Sequence, residues 1–243
     1  MTKGDVDADR GIEGDDMKES FEIGREDDMY KNQWPTGSGW EDDHKGETFK
    51  DTMLVLFDQC HKLNEVLMRA LAVAMGLGPD FFDGYVRERF NTLRLLHYPA
   101  ATKSDFEEGR VRAGAHCDYG HLTFLFQDMN GGLQVERPGS GAFIDIEPIK
   151  GTAVVNAGDL LAIWSNDYIR STMHRVVKPS NGGEGGAGGK GCYRPRYSIA
   201  YFCAPDDERR IEALPGTWEK VGRKYEAIRS GEYMLQRLKA TFK

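Results

Sequence analysis

The residues best equipped for chemistry are gathered in Ala115-His116-Cys117-Asp118-Tyr119-Gly120. His116 and Asp118 stand two apart, at the head of the β-like run Leu122-Thr123-Phe124-Leu125-Phe126. In a strand, residues i and i+2 face the same way, so both side chains reach one point while Cys117 turns away. An imidazole and a carboxylate aimed together suit a divalent metal of intermediate hardness. One further histidine would complete a two-histidine, one-carboxylate triad, which leaves coordination positions open on Fe(II). A His-x-Asp pair alone also arises by chance on polar strands and turns, so the third donor matters.

Six histidines are available. His44 and His61 lie outside the strand-rich region, His97 sits beside Tyr98 and Pro99, and His121 follows the motif closely. His174 opens His174-Arg175-Val176-Val177, far downstream of His116. Strands distant in sequence become neighbours in a jelly roll, so His174 is the attractive partner. A lone histidine is nevertheless more often a satisfied structural residue. A second pair, Arg196-Tyr197-Ser198, again puts i and i+2 on one face. An Arg fork beside a hydroxyl binds a carboxylate bidentately. An internal salt bridge would explain the pair equally well.

Elements must bring these residues together. From 91 onward the chain reads as short strands: 92–98, 122–127, 133–136, 142–146, 152–156, 160–164, 175–178 and 197–203. Gly- and Asn-rich spacers separate them, which indicates a sandwich or barrel, and a jelly roll is one such solution. Residues 47–74 form the clearest helix, with Met53, Leu56, Phe57, Cys60, Leu63, Leu67, Ala70, Leu71 and Ala74 at helical spacing. Gly76, Gly78 and Pro79 end it. Residues 79–86 start a second, short helix, and 217–242 return to helix. The fold expected is mainly β with flanking helices. Its parts are an acidic lead-in (1–30), a helical brace (31–90), a jelly-roll domain (91–205) and C-terminal helices (206–243). Two lead-in segments, 17–24 and 32–35, read as ordered but irregular, each pinned by an aromatic. The Gly-rich run 181–191 reads as a flexible hairpin extension, because no Gly-Lys-Ser/Thr ends it.

Composition narrows the class. The 243 residues are 40% hydrophobic and 11% aromatic, enough for a sizeable core. A net charge of −7 argues against nucleic acid or an anionic membrane as partner, since both call for a basic surface. No apolar run approaches a membrane span, and no signal peptide is visible at Met1. The four cysteines form no CxxC pair and read as reduced thiols in a cytoplasmic protein, with Cys192 the one expected to be most exposed.

His116-x-Asp118, then His174, then Arg196-x-Ser198, in that order, resembles the Fe(II)/2-oxoglutarate-dependent dioxygenases of the isopenicillin N synthase-like family. Leu95-Leu96-His97-Tyr98-Pro99, Gly131-Gly132-Leu133-Gln134-Val135, Asn156-Ala157-Gly158-Asp159 and Ser171-Thr172-Met173-His174-Arg175-Val176 are similar to further blocks of that family. So is Arg196-Tyr197-Ser198-Ile199-Ala200-Tyr201-Phe202, and the likeness runs over about residues 17–242. The resemblance implies a double-stranded β-helix core. It implies Fe(II) on His116, Asp118 and His174. It implies 2-oxoglutarate as co-substrate, its far carboxylate on Arg196 and Ser198, with Tyr98 hydrogen-bonding near its metal-bound end. The implied reaction oxidises a small molecule with O2, by hydroxylation, desaturation or ring closure, and releases succinate and CO2. Ascorbate enters only as an auxiliary reductant.

Two departures stand out. Members of the family usually carry about 80–90 further residues before the equivalent of Met17, so the lead-in reads as a remnant of that region. Helix 47–74 would then leave core surface uncovered, a patch prone to association. Leu96 also replaces a common Asn. Two other readings follow: an oxidase of the same fold that does not consume 2-oxoglutarate, or an inactive truncated binding module. Tyr119, Phe143 and Phe202 are candidate wall residues, and the substrate itself is not legible.

Overall fold

A computed structural model describes residues 16–36, 48–179 and 191–241. The strands are β1 (Glu19–Ile23), β2 (Thr92–Tyr98), β3 (Ala101–Thr102), β4 (Ala113–His116), β5 (Leu122–Gln127), β6 (Leu133–Glu136) and β7 (Phe143–Asp145). They continue with β8 (Val154–Ala157), β9 (His174–Val176), β10 (Cys192–Tyr193), β11 (Arg196–Cys203), β12 (Arg210–Ile211) and β13 (Ile228–Arg229). The helices are α1 (Phe49–Ala74), α2 (Lys103–Glu107), α3 (Asp159–Trp164) and α4 (Ser230–Thr241).

A five-stranded antiparallel sheet runs β1-β2-β11-β5-β8, and a four-stranded one runs β4-β9-β6-β7. Period-two alternation divides each strand of the larger sheet between two jobs. Leu93, Phe124, Tyr201 and Cys203 face outward into a core shared with Met53, Phe57, Cys60 and Met68 of α1. Phe57 meets the Tyr201 ring edge-on at 5.2 Å. The residues between them turn inward, toward the smaller sheet. Leu133, Val176 and Tyr98 form a second core there, with Leu96, Leu125 and Val154 packed against it. This is the jelly-roll arrangement expected, with α1 bracing the back of one sheet.

Helix α1 starts on a capping box, Thr48 accepting from the Asp51 N–H while the Asp51 side chain bonds the Thr48 N–H. Its buried stripe is Met53, Phe57, Cys60, Asn64, Met68 and Ala72. The stripe expected from the sequence is rotated slightly, because Asn64 is buried by pairing with His121 while Leu63, Ala70 and Ala74 face solvent. Val55, Val66 and Val73 are also exposed.

Several expected elements differ. Residues 160–164 are helical rather than strand, since α3 is buried on all sides and shows no periodicity for the eye to use. Residues 79–86 form turns, not a helix. Only 230–241 of the tail is helical, because Gly216 and Gly222 take left-handed conformations upstream. Within the acidic lead-in, 19–23 is an edge strand on β2, with Phe21 packed on Trp34 and Phe49. Residues 181–190 of the Gly-rich run, and His44, lie outside the described residues. All four cysteines are free thiols; Cys60 and Cys203 are buried and Cys192 is half-buried. Among the described residues no helix is long and apolar enough to cross a membrane.

Candidate active site

His116 is the last residue of β4, and Asp118 lies in the turn that follows, not in a strand. His174 is the first residue of β9 and pairs directly with His116 across the ladder. The register between β4 and β9 slips between Ala113 and His116, a bulge that turns both residues inward although they are three apart. The result is that ligand atoms of His116, Asp118 and His174 all lie within 4.8 Å of one another. Among the described residues this is the one such group of histidine, cysteine and acidic side chains.

Each donor is aimed by a second contact. His116 Nδ1 donates to the Gly114 carbonyl at 2.7 Å, and His174 Nδ1 to the Thr172 carbonyl at 3.0 Å. Both rings therefore turn Nε2 toward the common point, the usual way a protein fixes the tautomer of a metal-binding imidazole. Asn156 Nδ2 donates to Asp118 Oδ2 at 2.7 Å, while Oδ1 faces His174 Nε2 at 3.8 Å. Burial would push the Asp118 carboxyl up. The charges of His174 and His116 and the bonds from Asn156 and Thr123 outweigh it, and hold the carboxyl below its ordinary range. Two neutral-capable imidazoles and an ionised carboxylate, with each outer atom already occupied, form a donor set that can hold a divalent transition metal.

The turn carrying Asp118 is held from behind. The N–H groups of Asp159 and Leu160, at the start of α3, donate to the carbonyls of Asp118, Tyr119 and Gly120 at 2.8–3.2 Å. Those N–H groups have no partner within their own helix, so the loop and the helix end satisfy each other. The fit is close. A Cβ on Gly158 would overlap the Gly120 carbonyl oxygen, and one on Gly120 would overlap that of Cys203.

The same cavity, about 710 Å³ with its mouth included, reaches Arg196 and Ser198 on β11. Arg196 is fully buried; its Nη1 donates to Ser198 Oγ at 3.0 Å and its Nη2 to Gln127 Oε1 at 3.0 Å. Tyr98, its cross-strand partner, sets its ring 5.0 Å from the guanidinium carbon. No carboxylate of the described residues pairs with this guanidinium, so the internal salt bridge that would have explained it is not formed.

Not every candidate joins the site. Phe202 lines the cavity, with Arg94 stacked on it at 5.0 Å. Phe143 lies outside it under Arg175, and Tyr119 carries Arg237 over its ring. His97 stacks on Tyr197, His61 faces Glu65, and His121 is buried against Asn64. Asn156, Gln127, Thr123 and Arg94 are not singled out by the sequence. Their signal is parity: each stands an even number of residues from an inward-facing neighbour on its own strand.

The family model of the 2OG-Fe(II) oxygenase superfamily matches residues 89–205. The 2-oxoglutarate-Fe(II) type oxidoreductase ppzD of Metarhizium rileyi is 34% identical over 232 residues, covering 93% of this chain and 62% of that protein. The proline hydroxylase buaE of Petromyces alliaceus is 36% identical over 235 residues, covering 93% and 69%. Among solved structures, a full-length Neurospora crassa protein in complex with alpha-KG and thymine superposes with a TM-score of 0.84 at 52% identity, covering 94% of this chain and 66% of that one. The complex of the same protein with alpha-KG and 5-formyluracil gives 0.83 at 52%, covering 96% and 72%. The chain thus spans just under two thirds of ppzD and about two thirds of the Neurospora crassa protein.

Proposed function

Because the chain belongs to the 2OG-Fe(II) oxygenase superfamily, we propose that it oxidises a small molecule with O2 while converting 2-oxoglutarate to succinate and CO2. The observation that carries this reading is the placement of two unlike sites on the walls of one cavity: the His116–Asp118–His174 point and the Arg196–Ser198 pair. Nε2 of each histidine and Oδ1 of Asp118 would hold Fe(II). Bound there, iron supplies O2 activation, with two electrons from oxidative decarboxylation of the 2-oxo acid and two from the substrate. Arg196 and the Ser198 hydroxyl would bind the far carboxylate, and the Tyr98 ring keeps the guanidinium in place. Leu96, Leu125, Leu133 and Val154 wall the space between and keep water from it.

The substrate class we propose is a flat pyrimidine base. The Neurospora crassa protein, at 52% identity, forms complexes with thymine and with 5-formyluracil. In this chain Phe202 offers an aromatic face at the cavity wall, and Arg94, paired to Glu22 at 2.7 Å, brings N–H donors beside it. A face to stack on and donors for ring carbonyls are what such a base requires.

The test starts without oxygen. Fe(II) followed by 2-oxoglutarate should give a visible charge-transfer band. His174→Ala should abolish it. Arg196→Ala, which removes charge-assisted bonds, should raise the Kd for 2-oxoglutarate about 10- to 100-fold. With O2 admitted, thymine or 5-formyluracil should speed succinate release and proline should not. No band from folded protein would reject the co-substrate reading. Stimulation by proline alone would reject the pyrimidine.

A further inference from the structure

We propose that Arg112 is a positioning residue for the co-substrate, a second buried cation behind Arg196 that makes the cavity favour a 2-oxo acid carrying a second carboxylate. This rests on the 2-oxoglutarate reading above.

Arg112 precedes β4 and is 0% exposed. Its backbone N–H donates to the Val176 carbonyl at 3.0 Å, and its Nη2 to the Arg194 carbonyl at 2.5 Å. The side chain therefore crosses from the smaller sheet, four residues before His116, to the start of β11, two residues before Arg196. Its Nε and Nη1 are buried without a hydrogen-bond partner, and so is Nε of Arg196. Among the described residues no carboxylate pairs with either guanidinium. Burial, and then the charge of Arg196, both disfavour the charged form of Arg112. Asp128 is the acid whose charge reaches both arginines. Its oxygens already accept from the Asn130 and Tyr197 N–H groups and the Asn130 amide.

Two buried cations facing one committed carboxylate leave positive charge unbalanced, and a buried charge without a counter-charge is costly. A ligand that brings an anion to Arg196 relieves that cost, and one that brings an alkyl group does not. Arg112 does not line the cavity, so it acts through its field on Arg196 and through the Arg194 carbonyl it holds.

The experiment compares 2-oxoglutarate with 2-oxovalerate, which keeps the chelating end and lacks the far carboxylate. Kd values are read anaerobically from the visible band of the Fe(II) protein, and melting temperatures are taken without ligand. In Arg112→Gln the Kd for 2-oxoglutarate should rise about tenfold while that for 2-oxovalerate changes less than twofold. Arg112→Lys, which keeps the charge, should hold the ratio of the two within threefold of wild type. Equal losses for both acids, as a merely structural role would give, overturn the proposal, and so does no loss. If the Gln variant does not fold, the Lys variant decides: a collapsed ratio there rules out the charge as the cause. A wild-type protein that gives no band with 2-oxoglutarate overturns the co-substrate reading itself, whereas a normal wild-type band with an unchanged ratio in Arg112→Gln overturns only the role of Arg112.

Discussion

A carboxylate that binds metal through one oxygen needs something to hold the other. Asn156 does this for Asp118 with a 2.7 Å bond. Outer contacts of this kind are worth about 10- to 100-fold in metal affinity. Asn156→Ala should therefore weaken Fe(II) binding by that factor in a direct titration, with the fold intact by circular dichroism. Unchanged affinity would mean Asp118 is oriented by its turn alone. His121 lies away from the site, on the far side of the larger sheet's core. Complete burial against Asn64 pushes its pKa down to about 3. In the unfolded chain it titrates near 6.5, so below that pH the unfolded state binds a proton that the folded state refuses. Stability should fall with pH from 6.5 toward 3, by about 1.4 kcal/mol per unit from this group. His121→Gln, which keeps an amide for Asn64, should flatten that decline in a melting series from pH 7 to 5. The contribution of His61, whose pKa burial also lowers, would remain in the variant.

At the scale of elements, the turn 118–120 is only as well placed as the helix end behind it. The first N–H groups of α3 hold its carbonyls, and Gly158 lets the two backbones meet. Gly158→Ala drives a methyl into the Gly120 carbonyl oxygen and sets it 2.8 Å from that of Asp118, with backbone on both sides and no flexible atom to yield. The variant should lose about 3 kcal/mol in urea unfolding, at the upper end for overpacking, and Fe(II) binding with it. A loss under about 0.5 kcal/mol, the range of neutral surface changes, would show that the loop has room the close approach denies. Helix α1 works at longer range. About 39 Å of helix, at 1.5 Å per residue, backs the sheet whose inner face carries Arg196 and Ser198.

Across the whole molecule, the two histidines of the metal point come from the smaller sheet and Arg196 and Ser198 from the larger one, and the cavity lies between them. Ligands that bridge the sheets should stabilise the folded state as a unit. Fe(II) with 2-oxoglutarate at about 100 times its Kd adds about 2.7 kcal/mol. For a chain of this size that is a rise in Tm of about 5–10 °C. Arg196→Ala should lose most of the 2-oxoglutarate increment and keep the metal increment. A shift of equal size in both proteins would place the co-substrate elsewhere.

The fold and much of the site are legible in the sequence because strand periodicity is local. The alternation in 196–203 and 92–98 announces a two-faced sheet, and the order His116, Asp118, His174, Arg196, Ser198 carries the family likeness. What the sequence cannot hold is register. Nothing local says that His116 pairs with His174 through a bulge, or that Asp118 reaches the same point from a turn. Nor does it say that the buried run 160–164 is a helix whose N–H groups clamp that turn. The pairing of Asn64 with His121, the approach of Arg112 to Arg194, and the union of Arg94 with Phe202 at the cavity wall join residues 57 to 108 positions apart. Such contacts depend on how the sheets close over one another, and closure is decided by the packing of the whole chain.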